Sequence, residues 1–218
     1  MAHKTNRRPE PTLKLELKLS PTGRTLIAGL DEAGRGAWAG PVTAAAVVLP
    51  LHLPDLSEQL FGVRDSKLMT PRQRELWVVC IQELALGSAI GEVSPSEVDD
   101  LGVIGATRLA MIRALSALPL KPDHLLIDYL VLPELGTPQT SLPRGDATSM
   151  SIAAASVVAK TSRDHNMCQL DKVHPGYGFA AHKGYGTPQH RAALQHLGPC
   201  AIHRRSFSPV AACSSHAI

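Results

Sequence analysis

The chain has 218 residues, enough for one domain with a sizeable core or one domain with small additions. Aromatics make up only 4% while Ala, Val, Leu and Ile are plentiful, which favours an α/β domain packed with small residues over a loop-rich scaffold. A formal charge of +3 and a pI near 8.8 permit nucleic-acid binding without demanding it. No apolar run reaches the roughly 18–20 residues of a membrane span, and the polar, basic start MAHKTNRRPEPT lacks the apolar stretch of a secretory signal. Cys80, Cys168, Cys200 and Cys213 are scattered and form no CxxC pair, which argues against a zinc ribbon and for a cytoplasmic protein with reduced thiols.

Residues 1–11 are charged and carry two prolines, the pattern of a disordered tail. Leu13 to Leu19 alternates with period two like an edge strand, yet Leu, Lys and Glu are better helix formers, so both readings stay open. Strands are expected at Leu26–Leu30 and, after the Gly40-Pro41 turn signal, at Val42–Leu49. Thr70-Pro71-Arg72-Gln73 reads as a helix start, with Leu76, Val79, Cys80 and Leu84 on the apolar face. Ser88–Val93 is a third strand. Pro95 opens a helical region in which Ile104, Met111, Leu115 and Leu118 recur at helical spacing. His124–Tyr129 is a short buried strand, and residues 131–145 are loop-like with a brief strand near Thr140. A long helix is expected over about 148–173, and Thr187-Pro188 opens another that runs to Leu197. The first connection between strands is too short for a crossover helix, so the sheet is mixed and flanked by helices.

Asp31-Glu32-Ala33-Gly34-Arg35-Gly36 stands directly after the first strand. Adjacent carboxylates at the end of a buried strand repel unless a positive charge lies between them, and a hard divalent cation supplies one. The glycine-flanked arginine offers backbone N–H groups and a guanidinium suited to a phosphate backbone. The plainer reading is a surface pair capping a turn. Asp128 also ends an apolar strand, and neighbouring strands would bring it to the same end of the sheet as Asp31; the alternative is a solvated strand end. Asp146 precedes the long helix, where capping competes with a metal role. Ser149, Ala153, Ser156, Lys160 and Asp164 share one helical face, the stripe of a helix lining a site, or else a surface Lys160–Asp164 pair on a solvated face. In His182-Lys183-Gly184-Tyr185-Gly186-Thr187 a tyrosine on a basic turn can stack on a sugar or base, or simply be half-buried. His174, His182 and His203 show no metal-ligand spacing, and most of the ten histidines are expected at the surface or as caps. No P-loop and no G-x-S-x-G element occurs.

Six ordered segments carry a resemblance: IAGLDEAGRGAWAGPVTAAAVVL, DSKLMTPRQRE, HLLIDY, RGDATSMSIAAASVVAKTSRD, HKGYGT and HRRSFSP. Over about residues 24–210 the chain resembles ribonuclease HII, the type 2 ribonuclease H family. The resemblance implies an α/β ribonuclease H-like fold, a central mixed sheet of about five strands flanked by helices. It sets a catalytic domain at 24–210 between an N-terminal tail, 1–23, partly disordered, and a short C-terminal tail, 211–218. It implies an endonuclease that cuts the RNA strand of RNA–DNA hybrids and nicks 5′ to ribonucleotides in duplex DNA. The family's four acids fall on Asp31, Glu32, Asp128 and Asp146, with Mg²⁺ or Mn²⁺ as cofactor, two ions once substrate is bound. Its 2′-OH-reading element falls on Gly34, Arg35 and Gly36, its junction-sensing tyrosine on Tyr185, and lysines near substrate phosphates on Lys67 and Lys160. Departures are Arg144, Ala147 and Thr148, where the family often carries Lys or Gln, and Tyr129, where a glycine is common. The partners implied are nucleic acids and no membrane, and a monomer is expected. The readings set against this are a catalytically weak hybrid-binding module and a metal-dependent phosphatase of small molecules.

Overall fold

A computed structural model describes residues 10–214. In chain order these form α1 (Lys14–Leu19), β1 (Ile27–Ala33), β2 (Val42–Val48), α2 (Leu56–Gln59), α3 (Pro71–Leu84), β3 (Gly87–Val93), α4 (Pro95–Ser116), β4 (His124–Asp128), β5 (Gln139–Leu142), α5 (Met150–Val173), α6 (Phe179–His182), α7 (Pro188–Leu197) and α8 (Ser208–Ser214). The five strands form one mixed sheet in the order β3-β2-β1-β4-β5. The segment expected as the catalytic domain holds two compact units interleaved along the sequence. The first takes residues 10–31, 47–88 and 119–157, and the second 32–46, 89–118 and 158–214. Among the described residues no helix is long and apolar enough to cross a membrane.

In the first unit β1 and β4 pair in parallel with Leu30 opposite Ile127, and β4 pairs in parallel with β5. Leu30, Leu125, Leu126 and Ile127 are buried, as are Ile152, Ala153, Ala154 and Ala155 at the start of α5. Gly29 lets strand and helix touch, since a Cβ there would lie 2.2 Å from the Ser151 carbonyl carbon. The alternating segment after Leu13 is a helix, as its propensities favour, and its Glu16 is fully buried. The Glu16 carboxylate accepts from Ser149 Oγ (2.6 Å) and Ser151 N (2.9 Å), placing an acid at the N-terminal end of α5. The first nine residues of the expected disordered tail lie outside the described residues.

Two helices start where expected but bury other faces. Thr70 and Gln73 form a full capping box on α3. Leu76, Val79 and Cys80 are nevertheless exposed, while Arg74 and Ile81 are buried. The Arg74 guanidinium donates to the carbonyls of Ser66 (3.1 Å) and Met69 (2.7 Å), so a charged residue that hydropathy sends outward selects the inward face. In the second unit Ser94 and Glu97 cap α4, which kinks at Gly102 (φ 69°). Its inward face is small, with Ala106, Ala110 and Ala114 beside Met111, while Ile104 is exposed. The small face follows from β3 lying close: a Cβ on Gly91 would stand 2.1 Å from the Ala110 carbonyl oxygen.

Candidate active site

Asp31 is the residue after Leu30 on β1, and Asp128 the residue after Ile127 on β4, so parallel pairing carries both acids to one end of the sheet. Asp31 is 2% exposed. The chain leaves β4 through Tyr129 in the left-handed region (φ 61°), a conformation that favours glycine. Asp146 is buried in a 3₁₀ turn, Gly145–Ala147. It does not cap α5: Ser149 does, accepting from Ile152 N at 3.2 Å. The Gly145 N–H donates to Asp128 Oδ1 (2.7 Å), and a Cβ on Gly145 would collide with Ile152 Cδ1 at 2.5 Å, so this turn is held against the third acid.

Lys67 provides the cation of this group, 3.7 Å from Asp146 Oδ2. Partial burial alone would lower its pKa, but the carboxylates of Asp31, Asp65, Asp146 and Asp128 outweigh that and hold it above its ordinary value. Burial raises the Asp146 pKa, and the nearby Asp65 and Asp128 carboxylates push it further up against the pull of Lys67. Asp65 is thus a fifth acid here, one that strand-end reasoning passes over because it lies in a turn, where its Oδ1 accepts from Lys67 N (2.9 Å).

The second unit holds the glycine loop. Glu32 follows Asp31 on β1 and accepts from Arg35 Nη1 at 3.2 Å. Gly34 (φ 93°) must be glycine, because a Cβ would lie 2.0 Å from Arg163 Nε. Gly36 differs: a Cβ there would meet nothing within 4 Å. Two fully buried arginines shape the loop. Arg163 donates to the carbonyls of Pro41 (2.9 Å), Lys183 (3.0 Å) and Ala39 (3.2 Å). Arg204 donates to the carbonyls of Gly40 (3.1 and 2.9 Å) and Arg35 (2.9 Å). Burial and the neighbouring Arg163 bring the Arg204 pKa down to about 10, so it stays charged at neutral pH.

Tyr185 is half-buried, with Lys160 Nζ and Arg163 Cζ each 5.4 Å from its ring centroid. Lys160 also pairs with Asp164 at 2.7 Å, but both side chains are largely buried, so this is not the pair on a solvated face of the plainer reading. The rest of that stripe corrects the idea of a site-lining face. Ser149 and Ser156 are buried, Ser149 bonded to Glu16 and Ser156 to Ser66 (2.8 Å).

The profile of the Ribonuclease HII family matches residues 28–210. A ribonuclease HII of Chloroflexus aurantiacus is 52% identical over 200 residues, 92% of this chain and 94% of that protein. One of Thermus thermophilus is 52% identical over 186 residues, 85% and 88% of the two. The chain belongs to the ribonuclease HII family. The crystal structure of ribonuclease H2 from Pyrococcus horikoshii superposes with a TM-score of 0.73 at 25% identity, covering 88% of this chain and 98% of that one, which gives this sheet the ribonuclease H-like fold. Membership makes the chain a nuclease of the ribonuclease H kind, a hydrolase acting on nucleic acid.

Three histidines of the chain do not lie at the surface. His182, His190 and His203 are buried around Tyr177 and Phe179, with the His182 and His190 rings stacked at 4.5 Å. Their tautomers follow from their partners. Cys200 N donates to His203 Nδ1 (3.0 Å), so His203 Nε2–H donates to His190 Nε2 (3.1 Å), and His190 Nδ1–H donates to the Tyr185 carbonyl (3.0 Å). Every link needs neutral rings. Burial, then the neighbouring His190, pulls the His203 pKa down to about 4, and burial lowers that of His190. A folded-state pKa below the unfolded one means the unfolded chain binds more protons, so stability is complete above about pH 6.5 and declines as pH falls toward about 4. His203 alone accounts for about 3 kcal/mol of that loss. Urea unfolding across this window should show the midpoint falling with pH, and His203→Gln should flatten the dependence.

Proposed function

We propose that this ribonuclease HII hydrolyses the RNA strand of RNA–DNA hybrids and nicks duplex DNA on the 5′ side of embedded ribonucleotides. The observation that carries the reading is the meeting of Asp31, Asp128 and Asp146, from three separate stretches of chain, on the single ammonium of Lys67. Glu32, next on β1, is the fourth acid.

Carboxylates are the hard oxygen donors that Mg²⁺ or Mn²⁺ takes, and a bound cation would relieve the crowding that raises the Asp146 pKa. Among the described residues no three His, Cys, Asp or Glu side chains are grouped so as to hold a metal ion by themselves. Mg²⁺ keeps several waters and binds through one or two carboxylates plus substrate phosphates. Asp31, Glu32, Asp128 and Asp146 would hold the ions. Once bound with substrate, a pair of them supplies an activated water and neutralises charge on the leaving oxygen. The protein's own part is to position. The Gly145 N–H orients Asp128, and Lys67 sets a positive charge beside Asp146 for the phosphate. Arg35 and the backbone of Gly34 and Gly36 approach the ribose 2′-OH, while Tyr185 packs on the sugar at the junction. Water attack spares the 2′-OH, leaving 5′-phosphate and 3′-hydroxyl ends. The catalytic domain is taken as residues 24–210, working as a cytoplasmic monomer.

An end-labelled duplex with one ribonucleotide, incubated with Mg²⁺, Mn²⁺ or EDTA beside an all-DNA duplex, tests the reading. A metal-dependent nick only 5′ to the ribonucleotide is expected, and no cleavage of any RNA-containing duplex would refute it. Gly36→Ala sharpens the test. The added methyl meets nothing in the protein, so the melting temperature should hold. Cleavage at the ribonucleotide should fall on the order of tenfold or more, because the substrate backbone needs that space.

A further inference from the structure

Beside the acids lies a cavity of about 1090 Å³ whose walls hold more than the acids require. Asp128, Asp146 and Lys67 line it, and so do Phe61, Arg64 and Arg144. Phe61 is 78% exposed, a large apolar ring left in water among charged groups. It follows α2 on a turn that Gly62 (φ 107°) makes against Trp77, where a Cβ would sit 3.2 Å from Cζ2. Arg64 Nε is buried without a hydrogen-bond partner. The Arg144 guanidinium forms no hydrogen bond or ion pair with any described residue. Arg144 is also a non-glycine residue in the left-handed region (φ 56°), strain that persists where a side chain is needed in place.

We propose that Phe61, Arg64 and Arg144 form a subsite for the sugar-phosphate backbone flanking the scissile bond. The inference rests on the nuclease reading above and extends it to residues outside the acids, the glycine loop and Tyr185. Two guanidiniums for which the described residues supply no partner, in a cavity bordered by carboxylates, are matched by phosphodiesters, which accept from their planar forks. An exposed phenyl ring between such cations packs on a sugar face, a contact tolerant of sequence.

The test is binding rather than turnover. The Kd of a fluorescent RNA–DNA hybrid is measured by anisotropy in EDTA, over a range of salt and with hybrids shortened from either end. The proteins are wild type, Phe61→Ser, Arg64→Gln, Arg144→Gly and the double arginine variant. Phe61→Ser removes an exposed ring, and Arg144→Gly places glycine where the backbone favours it, so neither should melt below wild type. Each single variant is expected to weaken binding about tenfold. The double variant should reduce the salt slope by nearly two charges. The differences should vanish once truncation from one end withdraws the backbone from the cavity. Unchanged Kd and salt slope in folded variants, or losses independent of duplex length from both ends, would overturn the subsite. Wild type that binds with these dependences yet cuts no RNA-containing duplex would sustain the subsite and defeat the nuclease reading instead.

Discussion

Asp146→Asn is expected to abolish cleavage while leaving the protein as stable as wild type or more so. Asparagine keeps the shape of the side chain but removes its charge, and a neutral amide is a poor ligand for Mg²⁺ or Mn²⁺. Losing one carboxylate from the proposed metal set should lower kcat by roughly 10³-fold, about 4 kcal/mol of barrier. Stability should move the other way. Asp146 is buried and stands near Asp65 and Asp128, with the exposed Lys67 ammonium at 3.7 Å as its cation. Burial and like charge both disfavour its ionised form, which is why its carboxyl titrates above the usual range. At neutral pH wild type carries that charge at a cost to the fold, and the variant does not. The comparison is single-turnover cleavage of a hybrid beside thermal melting in EDTA. Lost activity with an unchanged or raised Tm supports a site selected against stability. Lost activity together with a large fall in Tm would mean that Asp146 is structural, and retained activity would remove it from the reaction.

The acids were legible because their signal is local. A carboxylate ending an apolar run is an anomaly within one strand, and Asp31 and Asp128 each show it. The parallel register of β1 and β4 then does what the pattern implied. Asp146 was not separable from a helix cap by pattern alone. What separates it is that α5 begins beyond it and that Ser149 serves as the cap. The strands and the long helices also announced themselves, through apolar runs, the Thr70 capping box and Pro95. Helix faces did not. On α3 and α4 the inward positions are filled by Arg74 and by alanines, which carry little hydropathic signal, while larger apolar side chains face water. Least legible were Arg163, Arg204 and His190. The partners of the two arginines are main-chain carbonyls of loops distant in sequence, that of His190 is the nearby Tyr185 carbonyl, and no residue-type pattern encodes a carbonyl.

Arg163→Lys should therefore be the most damaging conservative change in the second unit. Arg163 is 0% exposed and uses Nε, Nη1 and Nη2 on three carbonyls, those of Pro41, Lys183 and Ala39. Two of these end the glycine loop and the third opens the turn that carries Tyr185. A lysine ammonium is a point donor and cannot span all three. At least one carbonyl is left buried and unsatisfied, at about 1–3 kcal/mol each, and the ammonium is desolvated with poorer compensation. The expected loss is about 3–5 kcal/mol, the range for breaking a buried charged network. Gly34 adds to it, since its backbone lies against the Arg163 Nε position and has no side chain to close the gap left behind. The loss should be visible as a lower urea midpoint. A second effect separates shaping of the loop from general stability. At a temperature where the variant is fully folded, selectivity for the ribonucleotide position should still fall, because one side chain ties both segments proposed to read the ribose. Arg35→Lys supplies the contrast. Its side chain is partly exposed and pairs with Glu32 at 3.2 Å, so it should cost little stability while weakening recognition. If Arg163→Lys lost stability but kept full selectivity once folded, the glycine loop and the Tyr185 turn would hold their shapes independently of the guanidinium that joins them.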